Sequence, residues 1–201
     1  MKLSLSFPVN PVKYNQLFGV KSPTYTTEGM LGHNGIDFTA HHGQPVYAAH
    51  DGLASFQIDS GGGHGVVIIT NDQFDWQDGQ AYFKTIYWHL ADGLKEPQLA
   101  SQYQDKTGFI PIKKGDLVGY ADNTGQSTGD HLHFGLKPVA KSENWGTWAN
   151  LAQTNGYYGA IDPMPYFETV QVLQQEIQNS QMTLIGLLSK YVDILRAKLG
   201  K

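Results

Sequence analysis

Short apolar runs that alternate with polar residues fill the first two-thirds of the chain. The stretches "PVYAA", "LASFQI", "GVVIIT", "AYFKTIYWHL", "LVGYA" and "HLHFGL" are rich in β-branched and aromatic residues, bounded by Gly, Asp or Asn. Such runs predict antiparallel strands joined by tight turns. Val66 to Ile69 is apolar on both faces and predicts a central, buried strand. In "HLHFGL" the alternation turns Leu132 and Phe134 toward a core and sets His131 and His133 side by side on the other face. Residues 91–111 interrupt the pattern for longer than an ordinary connection, which predicts a surface insertion rimming a cleft. Residues 139–167 are aromatic and turn-rich and are expected to wrap back onto the strands. The fold class that follows is mainly β, an antiparallel, open-barrel-like domain over residues 1–167, with a C-terminal helix over residues 168–201.

The helix announces itself by a change of period. Val170, Leu173, Ile177, Leu184, Leu187, Tyr191 and Ile194 follow heptad a and d spacing, broken only at Ser180. From Leu184 onward Ile185, Leu188, Val192, Leu195 and Leu199 widen the stripe, while Lys190, Asp193, Arg196 and Lys198 hold the polar face. A helix of about 30 residues is ~45 Å long, more than a domain of this size covers. Its exposed half is expected to self-associate or dock on a protein partner, with a membrane surface as the weaker option. The opposing expectation is that the stripe packs on its own domain.

Composition narrows the classes. A chain of 201 residues supports one domain of ordinary size, and 23 glycines with 11 tyrosines suit a turn-rich β protein. A net charge of −4 and the lack of a basic stripe give no reason to expect nucleic acid. The chain has no cysteine, so no disulfide ties the fold to an oxidising compartment. "MKLSLSFPVNP" is too short and broken for a signal peptide, and no uncharged apolar run approaches a membrane span.

Candidate chemistry sits in "GHNGID" and "GDHLHF". His33, Asp37 and His133 offer two imidazoles and one carboxylate, a donor set that suits Zn²⁺ with a fourth position left for water. Gly32 and Gly35 argue against a helix in the first motif. The glycine cluster Gly61 to Gly65 lacks the Lys-Ser/Thr end of a phosphate loop and reads as a tight β-turn. His41 and His42 follow in a turn and are expected to be exposed, while His50 precedes a "DG" turn and His64 lies at the "GGGHG" hairpin corner; each is expected to touch substrate from a rim at most.

Four segments together resemble the lysostaphin/LytM-type (β-lytic) zinc metallopeptidases: "GHNGIDFTAHHGQPVYAAHDG", "GVVIIT", "YWHL" and "IKKGDLVGYADNTGQSTGDHLHFGLK". The resemblance covers about residues 7–138. It implies a zinc-dependent peptidoglycan endopeptidase, with His33, Asp37 and His133 as zinc ligands. His89 and His131 then resemble the two histidines that assist catalysis: His131 for orienting and deprotonating water, His89 for stabilising the oxyanion or protonating the leaving amine. Asp130 departs from the family pattern, which commonly has proline there, and could place a carboxylate near His131. The 91–111 insertion puts carried-over substrate preference in doubt. Gly-Gly and D-Ala-containing bonds both stay open. Only 32 residues precede His33, too few for an inhibitory pro-domain, so no masking of the zinc in cis is expected. Action at the bacterial cell wall is implied, through phage delivery, another leaderless route or a mature secreted form. Two alternatives remain: a non-catalytic LytM-like activator of another wall hydrolase, and a phage structural or tail module.

Overall fold

The computed structural model describes residues 1–93, 110–142 and 148–199. Eleven strands are formed among these residues: β1 (Tyr14–Gln16), β2 (Ile36–Thr39), β3 (Pro45–Tyr47), β4 (Gly52–Asp59), β5 (Gly63–Thr70), β6 (Phe74–Trp76), β7 (Gly79–Leu90), β8 (Ile110–Ile112), β9 (Leu117–Tyr120), β10 (His131–Lys141) and β11 (Trp148–Asn150). A one-turn helix α1 spans Pro23–Thr27, and helix α2 spans Glu168–Leu199. The main sheet runs β1-β2-β10-β7-β5-β4-β8, with β11 added to β10 and β6 to β7, while β3 and β9 form a small second sheet. Every strand pairing is antiparallel. The mainly β reading holds, and the predicted runs correspond to β3, β4, β5, β7, β9 and β10.

Alternation decides what each strand buries. On β10, Leu132, Phe134 and Leu136 are fully buried; each such side chain contributes about 1.5–3 kcal/mol relative to exposure. They meet Phe38 of β2 and Tyr87 of β7, with the Phe134 and Tyr87 rings edge-on at 5.2 Å between centres. On β5, Val66, Ile68 and Ile69 are buried inside the sheet, as a strand apolar on both faces requires. The chain start closes the core's far side. Leu5 pairs with the segment before α2 through Leu5 N–H to Tyr166 O (2.8 Å) and Glu168 N–H to Leu5 O (3.0 Å), and Phe7 stacks on Phe167.

The segment 139–167 does return to the sheet: Ile161 N–H donates to Leu136 O, and Leu31 N–H to Gly156 O. Most of the 91–111 insertion, residues 94–109, lies outside the described residues. Helix α2 is tied down at its start, where Val170 packs on the core and Gln171 Nε2 donates to Leu3 O at 2.9 Å. Farther on, Leu173, Ile177, Leu184, Leu187, Leu188 and Tyr191 are each more than half exposed. The expectation that the stripe folds back on its own domain is not met between Val172 and Val192. Among the described residues, no helix is long and apolar enough to cross a membrane.

Candidate active site

Strand register assembles the first cluster. β10 pairs with β2 so that His133 stands opposite Asp37, and His33 enters from the bend just before β2. Gly35 leaves room for this approach, because a Cβ there would lie 2.6 Å from the His133 ring. His33 Nε2, Asp37 Oδ1 and His133 Nδ1 are 3.0–3.1 Å from one another. Around a tetrahedral zinc with bonds of about 2.0–2.2 Å, donor atoms stand roughly 3.4 Å apart. The trio therefore fits the metal with only small side-chain shifts.

Protonation agrees with geometry. His33 Nδ1 lies 3.3 Å from Leu17 O. A carbonyl only accepts, so the ring donates there and keeps its Nε2 lone pair toward the cluster. Burial would raise the Asp37 carboxyl, but the His133 and His33 imidazoles beside it outweigh burial and hold the group well below the usual carboxylate range. Burial also favours the neutral form of His133, against the opposing pull of Asp37. A charged carboxylate beside a neutral imidazole is the state that metal ligation requires.

His131 and His89 flank this trio. His131 Nε2 is 3.7 Å from Asp37 Oδ1, while its Nδ1 donates to Gly129 O at 2.8 Å. His89 Nδ1 donates to Thr124 O at 2.7 Å, and the two rings are 4.6 Å apart between centres. In its neutral form each ring then turns its Nε2 lone pair away from these carbonyls. Burial pushes His89 down to about 4, only partly offset by the Thr124 bond. Simple alternation would send His89 to the core side with Tyr87. Its left-handed backbone (φ 63°) instead turns the ring toward His131.

A cleft of about 660 Å³ runs from these histidines along the exposed face of the sheet. That volume is ordinary for a ligand site. Tyr25 walls one side, stacked on His33 at 5.5 Å between ring centres. Trp88 walls the other, its indole seated on the β4–β5 hairpin where a Cβ at Gly62 or Gly65 would fall 2.1–2.2 Å from it. The glycine cluster is the tight turn expected from the sequence, and it also makes room for that indole.

The remaining histidines do not line the cleft. His41 and His42 are exposed, as expected. His50 is buried, with Nε2 2.9 Å from Thr85 Oγ1 and Nδ1 donating to Asp51 O, and burial pushes it down to about 4. His64 is partly buried against Phe56. Asp130 turns its carboxylate to the His42 backbone N–H (3.2 Å).

A model for Peptidase family M23 matches residues 31–145. The chain belongs to peptidase family M23. Among M23 relatives, the DD-carboxypeptidase/endopeptidase Mpg of Neisseria meningitidis is 30% identical over 131 residues, covering 64% of this chain and 26% of that protein. Lysostaphin of Staphylococcus simulans is 32% identical over 139 residues, covering 68% of this chain and 22% of that one. The chain thus matches about a quarter or less of these relatives' lengths. In three dimensions it is similar to lysostaphin from S. simulans (TM-score 0.55, 24% identity, 85% of this chain and 55% of that one). It is also similar to a zinc containing peptidase from Vibrio cholerae (TM-score 0.51, 24% identity, 74% and 39%). These likenesses support the LytM-type fold.

Sequence reasoning did not single out Trp88, Tyr25 or Lys137 as cleft residues. The alternation that separated His133 from Phe134 also places Lys137 on the histidine face. Tyr25 carried no such signal, since α1 and β2 meet only in the folded chain.

Proposed function

We propose that this M23 domain is a zinc-dependent endopeptidase that hydrolyses peptide bonds of bacterial peptidoglycan. The observation that carries the reading is the convergence of His33 Nε2, Asp37 Oδ1 and His133 Nδ1, with His131 and His89 at their edge. His33, Asp37 and His133 would hold the metal. Bound there, zinc supplies Lewis acidity, which lowers the pKa of water to about 7 and polarises a carbonyl.

The chain's own residues handle the protons. With Nδ1 fixed on Gly129 O, His131 offers Nε2 as an acceptor for a proton of the attacking water. His89, fixed on Thr124 O, is a second acceptor nearby. A proton taken at either Nε2 is returned to the leaving amine as the C–N bond breaks, and the water oxygen ends in the new carboxylate. A neutral His89 has no Nε2 proton for an oxyanion, so this geometry supports the proton-transfer half of the role expected for it. Tyr25 and Trp88 flank an extended peptide and limit water beside it.

Metal analysis and digestion of purified cell walls test the reading together. One zinc per chain and new amino groups in the digest, both lost in His33→Ala and Asp37→Ala, are the expected result. Full zinc occupancy in Asp37→Ala would remove the ligand assignment; release of reducing sugar without new amino groups would make the protein a glycosidase.

A further inference from the structure

The face of the sheet that carries the histidines ends in two lysines. Along β10 that face presents His133, Gly135 and Lys137; along β7 it presents Trp88, Ile86 and Lys84. The register sets His133 against Trp88, Gly135 against Ile86, and Lys137 against Lys84. The cleft floor thus runs from the histidine end through an uncharged middle to Lys137, and Lys84 stands opposite Lys137 in register, beyond the residues that line the cleft. Like charges directly opposite on neighbouring strands are destabilising, so this pair needs a counter-charge.

Both lysines are partly buried, and among the described residues neither is paired with a carboxylate. Lys137 Nζ donates to the backbone oxygen of Tyr158 at 2.7 Å, which leaves further ammonium protons unused. Tyr158 has a left-handed backbone (φ 52°), and its hydroxyl, donating to Glu28 O across the rim, anchors the residue that presents this carbonyl. Burial pushes Lys137 down to about 8, with Lys84 adding to the effect, so an anion would be the natural partner.

We propose that Lys84 and Lys137 form an anion subsite that takes a carboxylate of the peptide substrate about four residues from the bond cut. The spacing follows from the strand: His133 and Lys137 are four residues apart at ~3.3 Å each, or ~13 Å, and an extended peptide has the same rise. The substrate class is then an acidic peptide, such as one with a free γ- or α-carboxylate on a side arm, in preference to an uncharged oligoglycine. This inference rests on the peptidase reading, which fixes where the scissile bond lies.

The test uses the full zinc-loaded chain and soluble octapeptides in which a single Glu, or its uncharged counterpart Gln, is walked along a Gly/Ala background. The wild type should prefer Glu over Gln by about tenfold in kcat/KM, mainly through KM, with the preference peaking about four residues from the cut. In Lys137→Met and, separately, Lys84→Met, the peak should fall toward unity. A flat Glu/Gln ratio at every position in the wild type overturns the subsite, and that measurement needs no variant to fold. Fluorescence anisotropy of the same labelled pairs keeps the two readings apart. Tighter binding of the Glu peptide without any cleavage would fail the peptidase reading and leave the subsite standing. Equal binding together with equal cleavage would fail the subsite alone.

Discussion

Helix α2 and strand β10 carry comparable apolar patterns and end in opposite conditions. On β10, Leu132, Phe134 and Leu136 are sealed against Phe38 and Tyr87, and the reverse face is left free for polar groups. On α2, Leu184, Leu187, Leu188 and Tyr191 form an equally regular stripe that stands open between 55% and 60%. Periodicity states which face of an element is apolar; it does not state what covers it. In the sheet the cover comes from neighbouring strands of the same chain. In the helix, among the described side chains, the first turn finds such a neighbour through Val170 and Gln171, next to the buried Phe167.

The largest effects should come from the polar face that the sealed side supports. His131→Ala and His89→Ala are each expected to retain zinc and to cut turnover on cell walls by about 10²–10³-fold. Inductively coupled plasma analysis beside a wall-lysis assay checks both halves. Unchanged lysis in both variants would mean that water is activated by some other group.

The next effect concerns the uncovered stripe. Its heptad spacing predicts a second copy of the chain as the cover, so the full chain should scatter light as a dimer. Leu184→Asp with Leu187→Asp should return about half that mass while leaving the thermal midpoint of the β-domain nearly unchanged. Equal monomer masses for both proteins would remove self-association and sharpen the contrast between sheet and helix.

Much of this arrangement was legible before any fold was known, because the period-two signal in "HLHFGL" assigns Phe134 to the core and His133 to the site at once. The three-residue strands β1, β6 and β11 gave too short a pattern to register. The burial of His50 was not legible, because Thr85 and the Asp51 carbonyl meet its ring only inside the folded domain. The pairing of Lys84 with Lys137 depends on the register between β7 and β10, which no local window contains. The 91–111 rim insertion remains largely outside the described residues.

The left-handed backbone at His89 sets two kinds of selection against each other. A non-glycine residue in that conformation costs the fold ~1 kcal/mol, and glycine would relieve it. Glycine would also delete the imidazole that faces His131. A lineage selected only for a durable scaffold would drift toward glycine here, whereas one selected for turnover must retain the less comfortable residue. Thermal melts should therefore rank His89→Gly above His89→Ala, with both proteins impaired in wall lysis; the reverse ranking would show that the backbone at this strand end carries no such burden.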